Sequence, residues 1–129
     1  MKGSYCIALK CRKDFTAVIG KLGEIKFKKG FYVYVGSALN SIEKRVERHK
    51  RKEKPLFWHI DYITAEKEIE FAKAFFRESP EKEECRMAKI VSEKGIPVKG
   101  FGCSDCKCDS HLFSVDEISF LEGFMEALE

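Results

Sequence analysis

The sequence has no glutamine and a single asparagine, Asn40, in 129 residues. Alongside 35% charged residues, this is the Lys- and Glu-rich, amide-poor usage reported for hyperthermophiles. No apolar run approaches the roughly 18 residues that a membrane-crossing helix needs, and the stretch from Tyr5 to Leu9 is shorter than a signal-peptide core. Neither a membrane span nor a secretory leader is expected, and the chain reads as soluble and cytoplasmic. Internal repeats and low-complexity linkers are also missing, which argues against a solenoid or a string of modules. The length leaves room for one core, so a single domain over residues 1–129 is expected.

What is present is unevenly spread. Net charge is +3, yet residues 1–54 hold 15 Lys and Arg against 5 Asp and Glu, and residues 55–129 hold 9 against 16. Clustered Lys and Arg build phosphate-binding surfaces, so the basic half points to a polyanionic partner, with a solvated charged face as the alternative. Six cysteines in an intracellular chain argue for metal binding or free thiols, although hyperthermophile proteins also carry internal disulfides.

Between Ser4 and Cys11 the residues Tyr5, Ile7 and Leu9 fall on one side of a strand. Two further strands are predicted at Thr16–Ile19 and Glu24–Phe27 with a turn between them, and another at Phe31–Val35. Asn40 with Glu43 three residues on has the spacing of a capped helix start, giving a helix to about Lys50. A short helix within Leu56–Ile63 and an inner strand over Ile69–Phe76 follow. Ser79-Pro80 signals a second long helix to about Lys94, Val98–Phe101 a strand, and the helical spacing of Ile118, Leu121, Phe124, Met125 and Leu128 a packed terminal helix. The predicted fold is α/β of the α+β type, a small, mainly antiparallel sheet flanked by helices.

Several side chains stand out against this frame. On the helix after Ser79, Glu84 shares its side with Met87, Ala88 and Val91, so a carboxylate lies on the apolar stripe. A buried carboxylate needs a cation, a metal or several donors; a structural pairing at the edge of the core is the alternative to a functional ligand. On the earlier helix Ile42, Val46 and His49 share a face with Arg45 flanking it and Arg48 further round, so Arg45 is better placed to enter a site. His49 alone reads more often as a satisfied core histidine than as a site residue. Cys103-x2-Cys106-x-Cys108-x2-His111 offers four ligands that could satisfy tetrahedral zinc, but the Cys-x-Cys spacing is unusual for zinc and favours a disulfide or free thiols, with a thiol-based regulator a weaker reading. Trp58, His59 and Asp61 could line a groove, or Trp58 could be core.

Tyr34-Val35-Gly36-Ser37-Ala38, followed by a capped helix bearing Arg45-Val46-Glu47-Arg48-His49, resembles the second half of the GIY-YIG nuclease signature, with Gly3-Ser4-Tyr5 standing for the first half. The segments Trp58-His59-Ile60-Asp61-Tyr62 and Gly102 to Leu112 extend the likeness to a compact, largely archaeal branch known as a domain of unknown function. Some relatives there are fused to an endonuclease III-type repair enzyme. Tyr5 and Tyr34 stand 28 residues apart, further than in the nuclease core, and an inserted hairpin around Gly20–Gly30 would absorb the difference. Many of these nucleases place an Asn after the Glu; here Ser104 or Asp105 would have to serve.

The resemblance implies a metal-dependent endonuclease, with DNA favoured over RNA and a base-excision repair enzyme as an associate. Tyr5, Tyr34, Arg45, His49 and Glu84 would form the catalytic set, and Glu84 would hold Mg²⁺ or Mn²⁺. Arg48, Lys50, Arg51 and Lys52 would contact the nucleic-acid backbone. The competing reading is a non-catalytic nucleic-acid-binding module that keeps the fold, with a C-terminal loop stabilised by zinc or a disulfide.

Overall fold

The computed structural model describes residues 1–103 and 107–128. Strand β1 (Gly3–Cys11) is buried at every residue except Lys10, a pattern that requires neighbours on both edges and cover on both faces. The chain continues through β2 (Phe15–Val18), β3 (Glu24–Phe27), β4 (Gly30–Ala38), α1 (Ile42–Lys50), α2 (His59–Thr64) and β5 (Ile69–Glu78). It ends with α3 (Glu84–Ser92), β6 (Gly95–Pro97), β7 (Leu112–Val115), a 3-10 turn over Ser119–Gly123 and β8 (Glu126–Leu128). A six-stranded sheet runs β6-β7-β4-β1-β5-β8, every pairing antiparallel, while β2 and β3 form a separate hairpin. The fold is α+β, as expected, and the hairpin lies in the interval between Tyr5 and Tyr34 where an insertion was predicted.

Alternation along β1 divides the core. Tyr5, Ile7 and Leu9 pack with Ile42 and Val46 of α1, Ile60 and Ile63 of α2, and Ala17 and Phe27 of the hairpin. On the other face Cys6, Val33, Val35 and Phe75 meet Met87, Ala88 and Val91 of α3. Fully burying a side chain such as Ile42 stabilises the fold by about 2 kcal/mol, so each helix is held mainly by its apolar stripe.

Four local expectations are corrected. The cap of α1 is Ser41, whose Oγ accepts from the Lys44 amide at 3.1 Å, one residue after Asn40. The helix after Ser79 starts only at Glu84, because no apolar side chain before Met87 reaches the core to offset the cost of ordering residues 80–83. Ser79 instead closes a turn, its Oγ accepting from the Glu81 amide. The strand predicted at Val98–Phe101 lies earlier, at Gly95–Pro97, where it can pair with β7. The predicted terminal helix is a 3-10 turn followed by β8, with Gly123 at the break and Ala74–Phe76 of β5 supplying strand partners for residues 126–128. No helix among the described residues is long and apolar enough to cross a membrane.

Candidate functional site

The site is built where β1 and β4 lie side by side. Tyr5 is paired across the ladder with Gly36, and its ring lies directly over that residue. A Cβ at position 36 would stand 2.5 Å from both Cζ and the hydroxyl of Tyr5, so only glycine admits the phenol. The Tyr5 hydroxyl is 2.8 Å from His49 Nε2, two turns along α1 from Ile42 and buried beside it. Tyr34, on the same face of β4, sets its ring edge-on to His49 with centroids 6.0 Å apart.

His49 Nδ1 is buried and finds no hydrogen-bond partner among the described residues. A bare acceptor costs less than an orphaned N–H, so the ring proton belongs on Nε2, donated to the Tyr5 oxygen. The Tyr5 O–H is then available to the cleft. Burial, followed by the charge of Lys54, pulls His49 down to about 3, so it is neutral at physiological pH.

Arg45 extends from α1 to donate to the Ser37 carbonyl at 3.2 Å and to stack over Trp58, 4.5 Å from the ring centroid. Its guanidinium lies beside Tyr5. Burial drives the Tyr5 phenol well above its ordinary value, Tyr34 adds to the rise, and Arg45 offsets part of it. Burial likewise raises Tyr34, with Glu84 adding and Arg45 opposing. All of these groups except His49 line one cleft of about 1050 Å³, which Glu84 enters from α3.

Glu84 is the first residue of α3, and its side chain is 28% exposed. It sits at the rim rather than within the stripe of Met87, Ala88 and Val91, its Oε2 3.9 Å from Nδ1 of the buried His111. Four of the five residues singled out for catalysis therefore line the cleft, and the fifth, His49, bonds to Tyr5 from behind.

The basic run divides differently. Arg48 also borders the cleft, but it pairs with Asp61 at 2.8 Å and donates to the Pro55 carbonyl. The buried Asp61 carboxylate also accepts from the amides of Phe57 and Trp58. Burial pushes its pKa up, but those amides and Arg48 outweigh it and hold the group below its ordinary value. Lys52 donates to the carbonyls of Thr64, Glu66 and Ile69, so its ammonium ties together the turn before β5. Lys54 caps the carbonyls of Arg48 and His49 and reaches Thr64 Oγ1; burial lowers it to about 8. Lys50 and Arg51 are exposed. Trp58 lines the cleft, whereas His59 Nδ1 accepts from the Gly102 amide at 2.8 Å and anchors the loop after β6.

Of the C-terminal Cys/His motif, Cys106 lies outside the described residues, as do Ser104 and Asp105. Cys108 and His111 come together with a residue that the motif does not include. Cys85, on α3 next to Glu84, has its Sγ 3.7 Å from His111 Nε2, and the ligand atoms of Cys85, Cys108 and His111 all lie within 4.8 Å of one another. The three are close enough to share a metal ion. The sequence signal for Cys85 was its place next to Glu84, the singled-out carboxylate.

A family model described as a domain of unknown function, DUF123, matches residues 4–129. The chain belongs to that family. No curated protein and no solved structure matches it. The matched span of the DUF123 chain includes the residues that line the cleft and the Cys/His group.

Proposed function

We propose that this DUF123 protein is a nucleic-acid-binding hydrolase of the GIY-YIG nuclease type, cleaving a phosphodiester with Mg²⁺ or Mn²⁺. The observation that carries the reading is the convergence of Tyr5, Tyr34, Arg45 and Glu84 on one cleft, with His49 bonded to Tyr5. Four separate elements contribute these groups, and packing alone gives no reason to bring two phenols, a guanidinium and a carboxylate together.

Glu84 suits a magnesium ion, which favours one or two carboxylates together with waters and a substrate phosphate; it is partly exposed and faces the cleft. The cation would supply positive charge to the phosphate. Arg45, fixed by Ser37 and Trp58, offsets the negative charge that grows on the phosphate in the transition state. Tyr5, once its phenol has released its proton to solvent, takes the proton from the attacking water that Tyr34 orients; as the new P–O bond forms, the P–O bond to the leaving oxygen breaks and that oxygen is protonated from solvent. The His49 N–H and Arg45 stabilise the Tyr5 phenolate as it forms. Because burial raises both phenols, the rate should climb with pH above neutrality.

Lys44 and the exposed Lys50 and Arg51 supply backbone contacts, and Phe57, 77% exposed beside Trp58, offers a stacking surface for a base. DNA is the favoured substrate, and a base-excision repair enzyme a candidate associate, both on the resemblance to the GIY-YIG branch alone. The test is a nicking assay on labelled DNA with and without Mg²⁺ or Mn²⁺, run beside Glu84→Gln. Metal-dependent cleavage that falls by at least about 100-fold in the folded variant supports the proposal. Equal cleavage by the variant would assign the activity elsewhere, and salt-sensitive binding without cleavage would leave a binding module.

A further inference from the structure

We infer that Cys85, Cys108 and His111 form a second, chemically distinct cation site for a thiophilic metal such as Zn²⁺, with Glu84 as the carboxylate beside its histidine. Two thiolates and an imidazole are soft donors, unsuited to magnesium and well suited to zinc. Zn–S bonds of about 2.3 Å and Zn–N bonds of about 2.0 Å require a tetrahedral S···N edge of about 3.6 Å. The Cys85 Sγ to His111 Nε2 separation is 3.7 Å.

Two features favour ligation. His111 turns Nε2 toward Cys85, and its Nδ1 lies 3.9 Å from Glu84, an ionic neighbour beyond hydrogen-bond reach. Cys85 is the second residue of α3, where the free amides and dipole of a helix start favour a thiolate.

The consequence is mechanical. One ion would join the start of α3 to the segment around Cys108–His111, and Glu84 stands next to one ligand in sequence and against another in space. The metal would therefore hold in place the carboxylate that faces the two tyrosines. The site does not depend on the cleft being a nuclease, since its occupancy is measured without substrate.

Untagged protein purified without chelators and kept reduced is analysed for metal content, for zinc affinity against a chromogenic chelator, and for its absorption after cobalt substitution. About one zinc per chain and strong thiolate-to-cobalt absorption are expected. Cys85→Ser or Cys108→Ser should weaken zinc by more than about tenfold, and Glu84→Gln, which removes a neighbouring charge and no ligand, by less. Cobalt spectra of the unmutated protein test the site even if a variant fails to fold. Absence of thiolate absorption, or a Cys85–Cys108 disulfide in the isolated protein, would overturn the site. So would zinc affinity unchanged in Cys85→Ser but lost in Cys103→Ser. Unchanged affinity in Glu84→Gln would overturn the link to the cleft.

Discussion

At the scale of single residues, Gly36 and Tyr5 illustrate how one missing side chain positions another. The phenol occupies the space a Cβ would fill, with both ring carbon and oxygen 2.5 Å from it, and a buried ring cannot swing away cheaply. Gly36→Ala should therefore cost about 2 kcal/mol by displacing Tyr5 and its bond to His49. Denaturant unfolding checks this; a variant as stable as its parent would refute the close approach. The same pair shows why the resemblance was readable but its reason was not. A Tyr-Val-Gly string is visible in sequence, whereas the ring that requires the glycine comes from β1, 31 positions earlier.

At the scale of elements, α1 and the segment that follows it carry charges that look alike in sequence and do different work. Arg48 and Lys52 bind protein atoms, while Lys50 and Arg51 are exposed, Lys50 with its ammonium 5.4 Å from the Phe71 ring centroid. Asp61→Ala and Arg48→Ala should each destabilise the fold by about 3 kcal/mol, since either leaves a charge with its main partner gone and most of its cover intact. Lys50→Ala and Arg51→Ala should stay within about 0.5 kcal/mol of the parent and instead weaken nucleic-acid binding. Unfolding midpoints beside binding titrations separate the two groups, and equal stability losses in all four variants would contradict the division. Helix α3 teaches the complementary lesson. Its apolar stripe was legible, but the start suggested by Ser79-Pro80 was not used, because the segment before Glu84 has nothing to bury.

At the scale of the whole molecule, burial of the imidazoles ties stability to pH. His49 falls from 6.5 in the unfolded chain to about 3 in the folded one. Between those values the unfolded state binds a proton that the native state refuses, so stability drops as pH falls from 6.5 toward about 3, by up to about 1.4 kcal/mol per pH unit. His59 and His111 are lowered too and act in the same direction. Urea unfolding across this range should give a slope that His49→Gln reduces by one proton; an unchanged slope would mean that His49 is charged in the native state.

The sequence by itself determined the inside and outside of β1, the apolar faces of α1 and α3, and the hairpin between the tyrosines, because periodicity and spacing are local properties of a chain. Only the tertiary structure decided that Glu84 lies at a rim against His111, that Arg48 and Lys52 are bound within the fold, and that Cys85 joins Cys108 and His111. Each of those outcomes depends on which distant segment packs opposite, and a charge or thiol has no role until a partner stands within a few ångströms of it.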